Sequence, residues 1–317
     1  MVNRTIVIDG SSLVSVFTHS TWPKGEIEGD GDGRVIWNTV RAVTKMVHQL
    51  EPMNVVICGD HGSRETRVRR EILSRYKAHR EHKPKHERER QRFLKFCRRF
   101  LPVRILYKEG YEADDLIAYI TKMDVEKERQ VVVVSKDRDL LQLQQMYPNY
   151  VNCYDPTGKG FMEVPHSDVD FVWLKALTGD TSDNIPSVTG EKTALQLLRG
   201  EYKQSLKEYL TSGVTRSEKL PRIQVFKRNM RLVKLLGQGA LLEPLEFEDH
   251  PAEYAFDGHT LKRALQVFAE DPDSPENDAM ARTWDAFMGR RIMKGSSQGV
   301  IDWEQRRKDR QRNQAAG

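Results

Sequence analysis

The rhythm of apolar positions changes along the chain. In the first half, short continuous apolar runs alternate with stretches whose apolar residues recur at helical spacing. Thr5-Ile6-Val7-Ile8, Asn54-Val55-Val56-Ile57-Cys58, Val103-Arg104-Ile105-Leu106-Tyr107 and Gln130-Val131-Val132-Val133-Val134 predict four strands rich in β-branched residues. Val35, Val40, Val43 and Val47 mark a helix over 34–50, and residues 113–123 read as another. Uninterrupted apolar strands separated by helices point to strands buried on both faces. The fold class is therefore α/β, a mainly parallel sheet flanked by helices. From about residue 165 helical periodicity takes over, with loops at 179–190 and around 237–258. The chain divides into a sheet domain over 1–164, a helical region over 165–288 and a polar, basic tail over 289–317. The tail is expected to be mobile, with Ile301 and Trp303 as possible anchors for part of it.

Composition narrows the class of partner. The chain has 317 residues, 38% hydrophobic and 31% charged, enough apolar material for a real core. No run approaches the roughly 18 apolar residues of a membrane span, and Met1-Val2-Asn3-Arg4 leads straight into the first strand without a signal-peptide pattern. A cytoplasmic, membrane-free, monomeric protein is expected. Cys58, Cys97 and Cys153 are far apart and read as buried free thiols rather than a disulfide or zinc site. The net charge of +5 is unevenly spread: residues 61–104 hold 16 Lys and Arg against 5 Asp and Glu, a local +11 that leaves −6 elsewhere. A concentrated basic block on an otherwise acidic chain suits a polyanion such as nucleic acid.

Acids gather where strands end. Ile8 runs into Asp9, Cys58-Gly59 into Asp60, and Val134-Ser135-Lys136 into Asp137. In open parallel sheets ligands bind beyond the carboxyl ends of strands, so these acids converge on one edge. Glu112, Asp114 and Asp115 open a helix, Asp137 and Asp139 share a tight turn, and Asp180 and Asp183 share a later loop. So many carboxylates repel one another without a counterion. Hard divalent cations with oxygen ligands, Mg²⁺ or Mn²⁺, answer that repulsion, and two such ions can activate water and hold a phosphate. No Cys/His cluster offers a competing zinc site. His82-Lys83-Pro84-Lys85-His86 lacks a third ligand and reads as a phosphate-facing segment.

In this order, Ile8-Asp9-Gly10, Gly59-Asp60-His61-Gly62, Tyr76-Lys77-Ala78-His79-Arg80, Glu112-Ala113-Asp114-Asp115, Ser135-Lys136-Asp137-Arg138-Asp139 and Gly179-Asp180-Thr181-Ser182-Asp183-Asn184-Ile185-Pro186 resemble the 5′-nuclease family over residues 4–200. That family includes bacteriophage 5′-exonucleases, the 5′-nuclease domain of bacterial DNA polymerase I and flap endonucleases. The resemblance implies a PIN-like sheet domain, a helical arch built largely from 81–100, and a C-terminal helix–three-turn–helix DNA-binding region. It implies that Asp60, Glu112, Asp114, Asp115, Asp137 and Asp139 surround one or two metal ions, with Asp9 as the first acid and Asp180 and Asp183 as a distal pair. Lys77 and Arg80 match basic residues that contact the scissile phosphate, so Lys77, Arg80, Asp60 and Asp137 form the expected catalytic set. Tyr76 would offer a stacking surface to an unpaired base. Arg70, Lys83, Lys85 and Arg88 would meet DNA phosphates. One departure stands out: Ser187-Val188-Thr189-Gly190-Glu191-Lys192 is shorter than the family's Gly-rich hairpin. That hairpin grips a duplex phosphate and helps hold K⁺. Here a K⁺ site is doubtful, and the grip falls to Lys192 on a helix over 191–198.

The expected activity is metal-dependent hydrolysis of DNA at 5′ ends, flaps or branches, with RNA:DNA hybrids as further substrates and replication proteins as partners. The compact size suits a phage nuclease acting in host cytoplasm. A PIN-type ribonuclease is the first rival. A nuclease-inactive, structure-specific DNA-binding protein is the second, although a pure binding module gains nothing from clustered anions. An aspartyl-nucleophile phosphatase is a poor fit, because Gly10-Ser11 follows Asp9 where a second acid is needed.

Overall fold

The computed structural model describes residues 3–21, 33–60, 68–79, 84–108, 110–235, 248–250 and 256–294. The four expected strands are β1 (Arg4–Asp9), β2 (Asn54–Cys58), β3 (Arg104–Tyr107) and β4 (Gln130–Val134). With β5 (Val151–Asp155), β6 (Gly160–Phe161) and β7 (Glu248–His250) they form one sheet in the order β6-β5-β4-β1-β2-β3-β7. The five inner strands are parallel, and β6 and β7 add antiparallel edges. In register, Ile8 lies between Ile57 and Val134. β7 falls within 237–258, which the apolar pattern assigned to a loop; three polar residues carry no strand signal of their own.

Alternation along β1 feeds two cores. Ile6 and Ile8 join α1 (Gly10–Thr21), α2 (Arg34–Leu50) and α4 (Pro84–Phe100) on one face. Val7 joins α5 (Ala113–Val125) and α6 (Leu141–Met146) on the other. Ile6, Val7 and Ile8 are at most 1% exposed, so both faces of the central strand are dry.

The basic segment 81–100 is not one free-standing arch. Phe93, Leu94, Phe96 and Cys97 of α4 are buried in the first core, because they fall on one stripe at helical spacing. Residues 81–83 lie outside the described residues. The short α3 (Val68–Ile72) precedes the turns that carry Tyr76 and Lys77.

The span 165–288 does not share a single core. α7 (Phe171–Thr178), α8 (Glu191–Arg199), α9 (Leu206–Thr211) and α10 (Arg222–Val233) enclose their own cluster with Leu73 and Tyr76. By contrast α11 (Gly258–Phe268) and α12 (Pro275–Lys294) return to α2. There Trp284 and Phe287 are fully buried, and Trp284 Nε1 donates to Thr44 Oγ1 at 2.9 Å. Burying each ring is worth about 1.5–3 kcal/mol, enough to clamp α12 onto the first core.

All three cysteines are buried and unpaired. No helix among the described residues is long and apolar enough to cross a membrane. The expected tail beyond residue 294 lies outside the described residues.

Candidate metal-binding acid site

Strand order reverses between β1 and β4, and the crevice beyond their carboxyl ends is the site such a topology offers. Asp9 is the last residue of β1. Its Oδ1 accepts the Ser12 N–H at 2.9 Å, and its Oδ2 accepts the Ser135 hydroxyl at 2.8 Å. Ser135 directly follows β4, and its oxygen in turn accepts the Asp137 N–H at 3.0 Å. Asp137 Oδ1 caps the next turn by accepting the Asp139 N–H at 2.8 Å. Asp60, two residues past β2, accepts the Ala113 N–H on Oδ1 at 2.9 Å. Burial first, then the charges of Asp60 and Asp137, push Asp9 up to about 7, against the pull of Ser12 and Ser135. Acids at or just past the ends of β1, β2 and β4 thus lie close enough to act on one another's charge. Asp9 is buried, Asp60 half-buried and Asp137 exposed, so the group opens toward solvent.

A second group of acids already holds cations. Arg69, only 3% exposed, binds Asp115 through two nitrogens at 2.7 Å each and Glu112 at 2.8 Å; its Nε donates to the Leu232 carbonyl at 2.9 Å. Asp114 Oδ1 lies 3.7 Å from the same guanidinium. Burial, only partly offset by Arg69, holds Asp114 well above the carboxylate range. Lys77 Nζ sits 3.0 Å from Glu112 Oε1 and 3.6 Å from Asp183 Oδ2. Lys77 has φ of 51°, a left-handed conformation that costs a side-chain-bearing residue about 1–3 kcal/mol. Its own N–H is tied to the Asp183 carbonyl at 3.0 Å. Farther out, Lys175 bridges Asp139 at 2.8 Å and Asp180 at 2.6 Å. Burial raises Asp180, but the hydrogen bonds from Lys175 and Ser182 outweigh it and hold the acid below its ordinary range.

The acid loop is shaped by Gly179. Its φ is 69°, and a Cβ there would fall 2.5 Å from the Ile185 carbonyl. Asp180 and Ile185 exchange backbone hydrogen bonds at 2.9 and 2.8 Å, which closes the loop that carries Asp183 back to Lys77.

Several expectations meet this geometry differently. Tyr76 does not offer a stacking face: it is 2% exposed, and its hydroxyl donates to Glu112 at 2.8 Å and Asp183 at 3.0 Å. Its ring packs among the helical region's apolar residues, which is where burial drives it. Asp115 is turned into Arg69 rather than toward Asp9. Arg70 is half-buried, and its Nε has no hydrogen-bond partner. Arg88 and Lys192 are exposed. Arg80, Lys83 and the side chain of Lys85 lie outside the described residues.

Arg69 and Lys175 went unrecognised in the sequence. Arg69 was absorbed into the basic block, although Leu73 and Tyr76 follow at i+4 and i+7 and mark it as facing inward. Lys175 is the lone charge in the apolar run Phe171–Thr178, five residues before Asp180.

Among the described residues, no three carboxylate, imidazole or thiol groups stand in metal-ligating arrangement. The donor chemistry nonetheless fits a hard divalent cation. Asp9, Asp60 and Asp137 are all-oxygen donors, and burial, then the charges of Asp60 and Asp137, raise Asp9, where the neighbouring acids have Arg69, Lys77 and Lys175.

The 5′-3′ exonuclease N-terminal resolvase-like domain matches residues 4–169. The chain belongs to the 5′-3′ exonuclease family. It is 32% identical over 224 residues to the 5′-3′ exonuclease of Bacillus subtilis, covering 63% of this chain and 71% of that protein. It is 28% identical over 212 residues to DNA polymerase I of Streptococcus pneumoniae, covering 62% of this chain but only 24% of the polymerase. In fold, this exonuclease-family chain resembles the T5 D15 protein co-crystallised with metal ions. That match has a TM-score of 0.55 at 19% identity and covers 90% of this chain and 99% of the other. The sheet, its flanking helices and the likeness to T5 D15 agree with the PIN-like architecture expected from the sequence.

Proposed function

We propose that this chain is a divalent-metal-dependent 5′-nuclease that hydrolyses phosphodiesters at the 5′ ends, flaps or branches of DNA. The observation that carries the reading is the meeting of Asp9, Asp60 and Asp137 at the strand-order reversal, where burial and repulsion raise Asp9 to about 7. A buried acid in that state gains most from an added cation. Asp9, Asp60, Asp114 and Asp137 would hold the ion, with Mg²⁺ or Mn²⁺ favoured by the oxygen donors. When bound, such an ion supplies an activated water and charge neutralisation at the phosphate. A second ion would draw on Asp139, Asp180 and Asp183, in competition with Lys175.

The chain's own cations complete the reading. Lys77, kept in a strained backbone conformation beside Glu112, brings an ammonium to the acid rim. A cation there offsets charge that builds on the phosphate as the bond breaks. Arg69 holds Asp115 and Glu112, so α5 presents its acids in one orientation. The loop closed by Asp180 and Ile185, followed by α8, supports a helical element that grips duplex DNA.

The test is direct. End-labelled flap, nicked, single-stranded and RNA:DNA hybrid substrates are incubated with the protein in Mg²⁺ or in EDTA, and the products are mapped. Mg²⁺-dependent products from the 5′ side are expected. Cutting that persists in EDTA, or loss from 3′ ends alone, overturns the reading. Cleavage restricted to RNA would favour a PIN-type ribonuclease.

A further inference from the structure

α4 reaches the acid site from the side opposite α5. Gly59, next to Asp60, lets it come close: a Cβ there would lie 3.3 Å from Leu94 Cδ1. One helical turn earlier, on the same face, stands Arg90. Arg90 is 5% exposed. Its Nη1 donates to the backbone carbonyl of Asp60, and its Nη2 donates to Glu87 Oε1.

The choice of acceptor matters. A guanidinium beside a carboxylate ordinarily pairs with it, and such a pair would compete with a metal ion for the same oxygens. Arg90 instead spends one nitrogen on the Asp60 carbonyl and the other on Glu87. Asp60 is thereby held at two points, its main chain by Arg90 and its carboxylate Oδ1 by the Ala113 N–H. Those two points belong to α4 and α5, which approach the acid from opposite faces of the sheet.

We infer that Arg90, steered by Glu87, is a positioning residue that orients Asp60 for divalent-metal binding and couples the seating of α4 to the acid site. The inference rests on the nuclease reading above. Outer partners that orient a metal ligand typically contribute 10- to 100-fold in affinity.

The experiment is calorimetric titration of the full chain with Mn²⁺, without DNA, for wild type, Arg90→Met, Arg90→Lys and Glu87→Gln. Arg90→Met should weaken Mn²⁺ binding about tenfold or more. Arg90→Lys should weaken it less, since an ammonium still reaches one carbonyl. Glu87→Gln should also weaken it, by releasing Arg90 onto the Asp60 carboxylate. DNA affinity measured in EDTA should stay within about twofold of wild type, as befits a buried side chain that meets no phosphate. An Arg90→Met protein that binds Mn²⁺ like wild type overturns the inference, as does one that loses DNA affinity in EDTA while keeping its Mn²⁺ affinity. If Arg90→Met does not fold, unchanged Mn²⁺ binding in both Arg90→Lys and Glu87→Gln overturns it equally. Wild type that neither binds Mn²⁺ nor cuts DNA removes the nuclease reading and this inference with it. Wild type that does both, with all three variants unaltered, removes the inference alone.

Discussion

Asp9, Asp60 and Asp137 stand at or just past the ends of parallel strands, while Glu112, Asp115, Asp139, Asp180 and Asp183 surround them from helices and loops. The two sets are neutralised differently. The outer set carries its own cations: Arg69 on Asp115 and Glu112, Lys77 on Glu112 and Asp183, and Lys175 on Asp139 and Asp180. The strand-end set is dominated by burial and mutual repulsion, which together push Asp9 up to about 7. Two unit charges 4 Å apart near a protein surface interact by about 4 kcal/mol. An added cation therefore gains far more among Asp9, Asp60 and Asp137 than among acids already paired. The outer acids, paired with Arg69, Lys77 and Lys175, tie the start of α5 and the 179–186 loop to their neighbours.

Removing one acid from each set tests that contrast most severely. Asp137→Ala takes away a strand-end donor, and its single-turnover rate should fall about a thousandfold, roughly 4 kcal/mol of transition-state stabilisation. Asp180→Ala leaves Lys175 to Asp139 alone, and its loss should be about 10- to 100-fold. Both rates are read on a 5′-flap substrate at saturating protein. Equal losses would erase the distinction between the two sets.

The next largest effect is on stability. Arg69→Ala leaves Asp115 and Glu112 buried with their main counterion gone, at side-chain exposures of 4% and 5%. Breaking such a pair costs about 3 kcal/mol or more. Urea unfolding in EDTA should show that loss, whereas Asp137→Ala, which relieves repulsion but gives up the cap on the Asp139 N–H, should stay within about 1 kcal/mol of wild type. Arg69→Ala with undiminished stability would mean that the outer acids do not need their internal cations.

How far each set was legible follows from the range of the interactions involved. The strand-end acids could be read because β1, β2 and β4 are uninterrupted β-branched runs, and the acid follows each within three residues. The start of α5 was equally local. Arg69 was hidden because Asp115 is 46 positions away. Lys175 has Asp180 only five positions on, but its other partner, Asp139, is 36 positions away on a different turn. A charge inside a basic block looks the same in sequence whether it faces DNA or a buried acid. General helical periodicity past residue 165 could not show that α12 returns to the first core, where Trp284 bonds Thr44 from 240 positions away. α1 was missed for a different reason: Gly10-Ser11-Ser12 and the valines after it favour no helix locally. Its conformation comes from packing on α2 and α4.

The smallest effect concerns the far end of the helical region, where the shortened segment 187–192 meets α8. A Gly-rich hairpin grips a phosphate by pointing several backbone N–H groups at it. Here the Val188 and Thr189 N–H groups are both spent on the Leu177 carbonyl, at 2.8 and 3.0 Å. Gly190 is extended, with φ of −73° and ψ of 156°, so it does not form the left-handed turn of such a nest. What remains is the first turn of α8, whose N–H groups have no partner within the helix, and exposed Lys192 within it. One exposed cation on a phosphate is worth up to about 1 kcal/mol, or about fivefold in affinity. Lys192→Ala should weaken binding by that factor on a substrate with a long downstream duplex. On a very short duplex the effect should vanish. The slope of log affinity against log salt should become shallower by about 0.9, one lost duplex phosphate. Replacing K⁺ by Na⁺ at constant ionic strength should change binding by less than about twofold, because the Leu177 carbonyl, an oxygen that could face an ion, already accepts both N–H groups. Anisotropy titrations in EDTA measure all three. Wild-type affinity in Lys192→Ala on long duplexes would move the grip elsewhere on the helical region, and a large loss on removing K⁺ would mean that the 187–192 segment rearranges when DNA arrives.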